Sequence, residues 1–246
     1  MLQNEVEQLF AGLIGEHYEL LKIICPAAPD MSRRVGEFVA TWQAPESSAA
    51  PLKVVELGAG TGITSIALLS DRDDIHLHSV DSEPTMLKQA RVNLARWLEQ
   101  GRLTLVQQDA LSALQQLPDA GVDLVASAYT MHNFFDSYRS RVWAEIFRVL
   151  KPGGGVVNGD RYALDDVRAH CELTRQEMQG YFREFGAMER YDLLEQWILH
   201  LYGDESPDHI MRYAPSLQTL RDAGFVDVQT PYREGVNALV SARKPG

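Results

Sequence analysis

The stretch VVELGAGTG, residues 54–62, decides how the rest of the chain is read. An apolar run reaches Glu56 and Leu57, then passes into a loop with glycine at every second position: Gly58, Gly60 and Gly62. A short apolar run closed by glycines reads as a buried strand. The loop after it falls beyond the strand's carboxyl end, where open α/β sheets bind ligands. A dinucleotide loop follows G-x-G-x-x-G, but here the last glycine comes one residue early. Glu56 is a second objection, because a carboxylate near a pyrophosphate repels it. The same carboxylate favours a ligand carrying positive charge, such as an ammonium or a sulfonium.

Outward from this loop, strand-like and helix-like segments alternate. LKVVEL (52–57), IHLHSV (75–80), LTLVQQ (103–108), VDLVASA (122–128) and GVVNGD (155–160) read as strands. ITSIALLS, EPTMLKQARVNLARWL and SYRSRVWAEIFRVL (137–150) read as the helices between them. That alternation implies crossover connections and a parallel sheet with helices on both faces. After residue 160 the rhythm breaks. Residues 161–213 show helical spacing, as in Leu194, Trp197, Ile198 and Leu201, and carry aromatic residues at about twice the density of the whole chain. SLQTLRDAGF then predicts a helix ending at Gly224, and VDVQT (226–230) and NALVSAR (237–243) predict an antiparallel pair. The fold class expected is α/β, a doubly wound, mostly parallel seven-stranded sheet. The expected organisation is an N-terminal helical cap (1–50), a cofactor-binding domain (51–160 and 214–246) and a helical lid insertion (161–213). Within the cap, LFAGLIGEHYELLKII and MSRRVGEFVATW read as two helices separated by CPAAPD, with Asp30 or Ser32 capping the second.

The chain has 246 residues and a formal net charge of −11, which fits one α/β domain with an insertion or two small domains. Its acidity, with no basic run longer than two residues, disfavours nucleic acid as the main partner. No stretch approaches ~18 uninterrupted apolar residues, so no membrane span is expected. The acidic N-terminus is unlike a secretory signal, and two cysteines, Cys25 and Cys171, are too few for a disulfide framework. The expected setting is the reduced cytoplasm. His76 and His78 alternate on one strand, but no third ligand is suggested nearby, so no metal is expected.

VVELGAGTG resembles the glycine-loop motif of class I S-adenosylmethionine-dependent methyltransferases of the small-molecule type. The resemblance covers roughly residues 52–160 and 215–243. Three further pieces follow in the family's order. Asp81, in SVDSEPTML, ends the second strand 23 residues after Gly58. QQDAL contributes Asp109 and Ala110, and RVLKPGGGVV resembles the turn that enters strand five. The resemblance implies a Rossmann-like methyltransferase fold with S-adenosyl-L-methionine as cofactor and S-adenosyl-L-homocysteine as product. It assigns the ribose hydroxyls to Asp81, adenine to Met86, and the adenine edge to Asp109 and Ala110. Gly58, Ala59, Gly60, Ser82 and Ser127 complete the implied cofactor set. Glu56 becomes a partner for the cofactor's amino-acid end, directly or through water. The alternative is that Glu56 bonds the loop's own N–H groups.

SAYTMHNFFDS (127–137) follows the fourth strand and carries Tyr129, His132 and Asn133. In enzymes resembling this chain, an aromatic–His or His–His pair occupies this loop. His132 is then a candidate base toward an acceptor hydroxyl or amine; the alternative is a packing or capping role. Arg161 is a candidate for binding a carboxylate or ring substituent, or for a salt bridge to Asp165 or Asp166. Tyr181 and Trp197, with Phe182, Phe185 and Tyr202, are the aromatics expected over a flat acceptor. The function these residues imply is methyl transfer to O or N of a small, planar or aromatic metabolite. A tRNA or protein methyltransferase, a nicotinamide-dependent reductase and a non-catalytic cofactor-binding protein are the alternatives. A homodimer stays open.

Overall fold

The computed structural model describes residues 25–45, 48 and 50–246. The expected helix LFAGLIGEHYELLKII and the cleft residue Tyr18 lie outside the described residues. The first described helix, α1 (Ala27–Thr41), has Pro26 as its N-cap, so AAPD of the CPAAPD stretch forms the helix's first turn. Pro29 is tolerated there because its missing N–H would have no helical partner. Neither Asp30 nor Ser32 caps the helix. Asp30 instead pairs with Arg33 and Arg34, at 2.5 and 2.6 Å, and Ser32 Oγ meets Thr64 Oγ1 at 2.8 Å.

Seven strands form one sheet: β1 (Leu52–Leu57), β2 (Ile75–Asp81), β3 (Leu103–Gln107), β4 (Val122–Ala128), β5 (Leu150–Arg161), β6 (Val226–Glu234) and β7 (Asn237–Arg243). Their order is β3-β2-β1-β4-β5-β7-β6. The first five are parallel, and β7 runs antiparallel to both β5 and β6. The seven-stranded, mostly parallel sheet expected from the sequence is therefore present. Its chain order reverses at β1 and β4, which opens a ligand crevice beyond their carboxyl ends.

The helices are α2 (Ile63–Ser70), α3 (Pro84–Asn93), α4 (Ala95–Glu99), α5 (Ala110–Gln115), α6 (Asp136–Val149), α7 (Val167–Ala187), α8 (Tyr191–Asp204) and α9 (Tyr213–Asp222). The sequence pattern anticipates one helix where α3 and α4 stand. Leu94, at φ −107° and ψ 11°, breaks it. Strand β5 is longer than anticipated: it takes in the KPGGG segment, and its register against β4 shifts between Val122 and Leu124. Alternate residues of each strand feed opposite cores. Val55 and Leu57 pack with Val142, Trp143 and Ile146 of α6 on one face. Val54, Leu77 and Leu124 pack with Val35 and Val39 of α1 and Leu68 of α2 on the other. A third, smaller core joins Ala28 of α1 to Phe185 of α7 and Leu193, Leu194 and Trp197 of α8. Among the described residues, no helix is long and apolar enough to cross a membrane.

Candidate functional site

A cavity of about 430 Å³ opens at the carboxyl ends of β1, β2 and β4. Gly58, Ala59, Gly60 and Thr61 form one wall, Asp81, Ser82 and Met86 the next, and Ala110 extends it. Tyr129, Thr130 and Asn133 close the side toward β4, and Ala28, Pro29 and Ser32 bring α1 over the opening.

The backbone of the glycine loop answers why a carboxylate can precede it. The N–H groups of Gly58 and Ala59 both donate to Val80 O, at 2.9 Å each. Gly60 N–H donates to Asp81 Oδ2 at 2.7 Å, and Gly62 N–H to Ala59 O at 2.9 Å. A phosphate cradle needs such donors aimed at its ligand. Here four of them are engaged by the protein itself. The cavity offers an acceptor instead, the Asp81 carboxylate. Burial raises the Asp81 pKa, opposed by the N–H groups of Glu83 and Gly60.

Glu56 lies beneath the loop and off the cavity wall, fully buried. Its Oε2 accepts from the hydroxyls of Ser65 and Ser79, both at 2.5 Å, while Oε1 has no partner among the described residues. Its hydrogen-bond partners are thus not the loop N–H groups, and Glu56 does not line the cavity. Desolvation pushes its carboxyl up to about 7, against the two serine hydroxyls, with nearby Asp81 adding to the rise. Two other expected cofactor residues also stand behind the wall. Asp109 caps α5, accepting from Ser112 N–H and from Tyr138 Oη–H, both at 2.9 Å. Ser127 Oγ donates to Leu57 O at 3.2 Å.

On the side toward β4, Tyr129 adopts a left-handed backbone, φ +50°, held by its N–H on Gly159 O at 2.9 Å. Non-glycine residues in that region carry strain that the surroundings must hold in place. Its hydroxyl donates to Asn237 Oδ1. His132 sits behind Tyr129 and Asn133, in a 3₁₀ turn over Met131–Asn133, and is buried. Its Nδ1 meets Asp160 Oδ1 at 2.5 Å. Asp160 also accepts the N–H groups of Met131 and Arg161, at 2.8 Å each. Arg161 pairs with Glu177 of α7 at 2.7 Å and with Glu205 at 3.1 Å, so neither Asp165 nor Asp166 is its partner. Asp166 caps α7 through Ala169 N–H, and Asp165 accepts from Ala214 N–H.

A methyltransferase-domain family model matches residues 54–154 of the chain. A demethylmenaquinone methyltransferase of Leptospira interrogans is 34% identical over 109 residues, 44% of this chain and 43% of its own. A dimethylglycine N-methyltransferase of Parasynechococcus marenigrum is 36% identical over 191 residues, 71% of this chain and 65% of its own. The chain thus spans less than two thirds of either relative. Residues 54–154 carry a methyltransferase domain of the class I S-adenosylmethionine-dependent kind. The fold agrees: an O-methyltransferase family protein from Burkholderia thailandensis superposes with a TM-score of 0.63 at 16% identity, over 90% of this chain and 58% of that one.

The expected aromatic lid is mostly something else. Phe185 and Trp197 are buried in the third core, and Tyr181 packs on Trp197 with ring centroids 6.3 Å apart. Phe182 and Tyr202 are exposed. None of the five lines the cavity. Gln89, Asn93 and Thr130 do line it and were not anticipated from the sequence. Gln89 and Asn93 carried a signal, because they share a helical face with Met86. Thr130 carried none.

Proposed function

We propose that this methyltransferase moves a methyl group from S-adenosyl-L-methionine to an oxygen or nitrogen of a small, planar or aromatic metabolite, leaving S-adenosyl-L-homocysteine. The observation that carries this reading is the glycine loop, four of whose N–H donors (Gly58, Ala59, Gly60 and Gly62) are engaged while Asp81 stands as an acceptor at the cavity. A pyrophosphate is badly served by that arrangement, whereas a ribose diol and a cationic amino-acid end are well served. In this reading Asp81 takes the ribose hydroxyls, Met86 packs on adenine and Ala110 borders its edge. The cofactor supplies a methyl group already activated on a sulfonium, so positioning carries much of the catalysis.

Tyr129 and Asn133 border the acceptor, and the core of the segment 161–213 packs against Tyr129 from outside the cavity. Asp160 holds His132 behind Tyr129 and Asn133 through Nδ1. The names of the two relatives indicate which acceptors to try: demethylmenaquinone in one, the amine dimethylglycine in the other. The test is release of S-adenosyl-L-homocysteine from labelled cofactor across a panel of phenols, hydroxyquinones and small amines. Acceptor-dependent release supports the proposal. Cofactor binding with no release from any acceptor, a cell extract included, would make the chain a binding protein.

A further inference from the structure

Helix α8 carries His200 and Asp204 four residues apart, hence on one face. Both are buried, and that face meets His132 of the 3₁₀ turn after β4. One potential ligand atom from each of the three residues lies within 4.8 Å of the other two. His200 Nε2 and Asp204 Oδ2 stand 3.6 Å apart, too far for a hydrogen bond. That spacing is near the ~3.4 Å that separates two ligands of a tetrahedral ion with bonds of about 2.0–2.1 Å. Asp204 Oδ1 is buried with no hydrogen-bond partner among the described residues.

We propose that His132, His200 and Asp204 form a binding site for a divalent transition metal of the zinc type, which ties α8 to the turn after β4. Two imidazoles and one carboxylate suit such an ion, and three protein ligands leave a fourth position for a water or another oxygen. His132 has the outer support that metal-bound histidines use. Its Nδ1 is held by Asp160, which is itself anchored by backbone N–H groups, so Nε2 is turned outward as the ligand. Closing a gap of at most 4.8 Å to ~3.4 Å takes a movement of no more than about 1.4 Å, within reach of side-chain rotation. The site draws on residues outside the cofactor cavity, so it stands or falls independently of the cofactor assignment.

The test uses the full chain after chelator treatment. Cobalt is titrated in and followed by the visible absorption of a four-coordinate centre; zinc is then added in competition, and bound metal is counted by elemental analysis. One equivalent is expected. Affinity should fall at least ~10-fold in His200→Gln and in Asp204→Asn, and hold in a His76→Gln, His78→Gln double variant that removes the paired histidines of β2. Absence of stoichiometric metal, unchanged affinity in the α8 variants, or loss in the β2 variant would each overturn the proposal. Should the α8 variants fail to fold, nitrogen-15 spectra of the wild-type histidine rings decide. Zinc must then perturb His132 and His200, and perturbation of His76 and His78 alone contradicts the site.

Discussion

A Cβ placed on Gly58 would stand 1.9 Å from Thr130 Oγ1. The loop after β1, which forms one wall of the cavity, is therefore in contact with the loop after β4, which closes another side. Only a residue without a side chain allows this approach, and the Gly58 backbone is also left-handed, φ +81°.

From this contact Gly58→Ala is expected to act on both sides at once. The overlap and the unfavourable backbone together should destabilise the fold by roughly 1–3 kcal/mol. Cofactor affinity should fall as well, because Thr130 can move only by shifting the cavity wall. Denaturant unfolding and calorimetry on the same preparation check the pair of effects. A variant with wild-type stability and affinity would show that the two loops are not in contact.

Asp81 receives the Gly60 N–H and the Glu83 N–H, at 2.7 and 2.9 Å. Asp81→Asn keeps the size of the side chain but weakens it as an acceptor. The loss for S-adenosyl-L-methionine and S-adenosyl-L-homocysteine should be equal, about 10- to 100-fold, as for hydrogen bonds to a charged group. A loss confined to one of the two would place Asp81 away from the ribose.

Glu56 makes stability pH-dependent in a defined direction. Its folded pKa, raised to about 7 by burial, lies above the ~4.3 of an unfolded glutamate. Between those values the folded chain holds a proton that the unfolded chain has released. The stability from this group is therefore full below about pH 4 and is lost as pH rises toward 7, at up to ~1.4 kcal/mol per pH unit. In Glu56→Gln that slope should disappear, as measured by denaturant midpoints across the same range. An unchanged slope would assign the dependence to other groups.

The third core and the ion pairs of Arg161 separate structural roles from acceptor contacts. Trp197→Ala should cost about 3–5 kcal/mol, because the indole is buried, while Tyr202→Ala should change stability by no more than ~0.5 kcal/mol. Arg161→Ala removes the partner of both Glu177 and Glu205, and should destabilise the chain by about 3 kcal/mol. Conversely, selective loss of acceptor binding in Trp197→Ala at unchanged stability would restore the indole to the acceptor site.

The contrast between Arg161 and β7 shows what the sequence could disclose. NALVSAR bounds the strand from Asn237 to Arg243 as the structure does, and ITSIALLS bounds α2, because periodicity and glycine punctuation are local properties. The glycine loop, Asp81, Met86 and Ala110 reach the cavity because each ends or follows a strand at the same edge of the sheet. Side-chain partners are not local. Arg161 passes over Asp165 and Asp166, whose carboxylates serve backbone N–H groups, and pairs with Glu177 and Glu205 in the helices above it. Ser65 and Ser79 meet Glu56 only because the sheet and α2 bring them there. The aromatic density of 161–213 was visible, but which rings face the core depends on how α7 and α8 pack.

The account rests on the glycine loop accepting a cationic, ribose-bearing cofactor in place of a pyrophosphate. The measurement that tests it most directly is calorimetric titration of the wild-type chain with S-adenosyl-L-methionine, S-adenosyl-L-homocysteine and NADPH. Micromolar binding of the first two with none for NADPH is the predicted result. Binding of NADPH alone would contradict it, and would require the loop's engaged N–H groups to be released toward a phosphate.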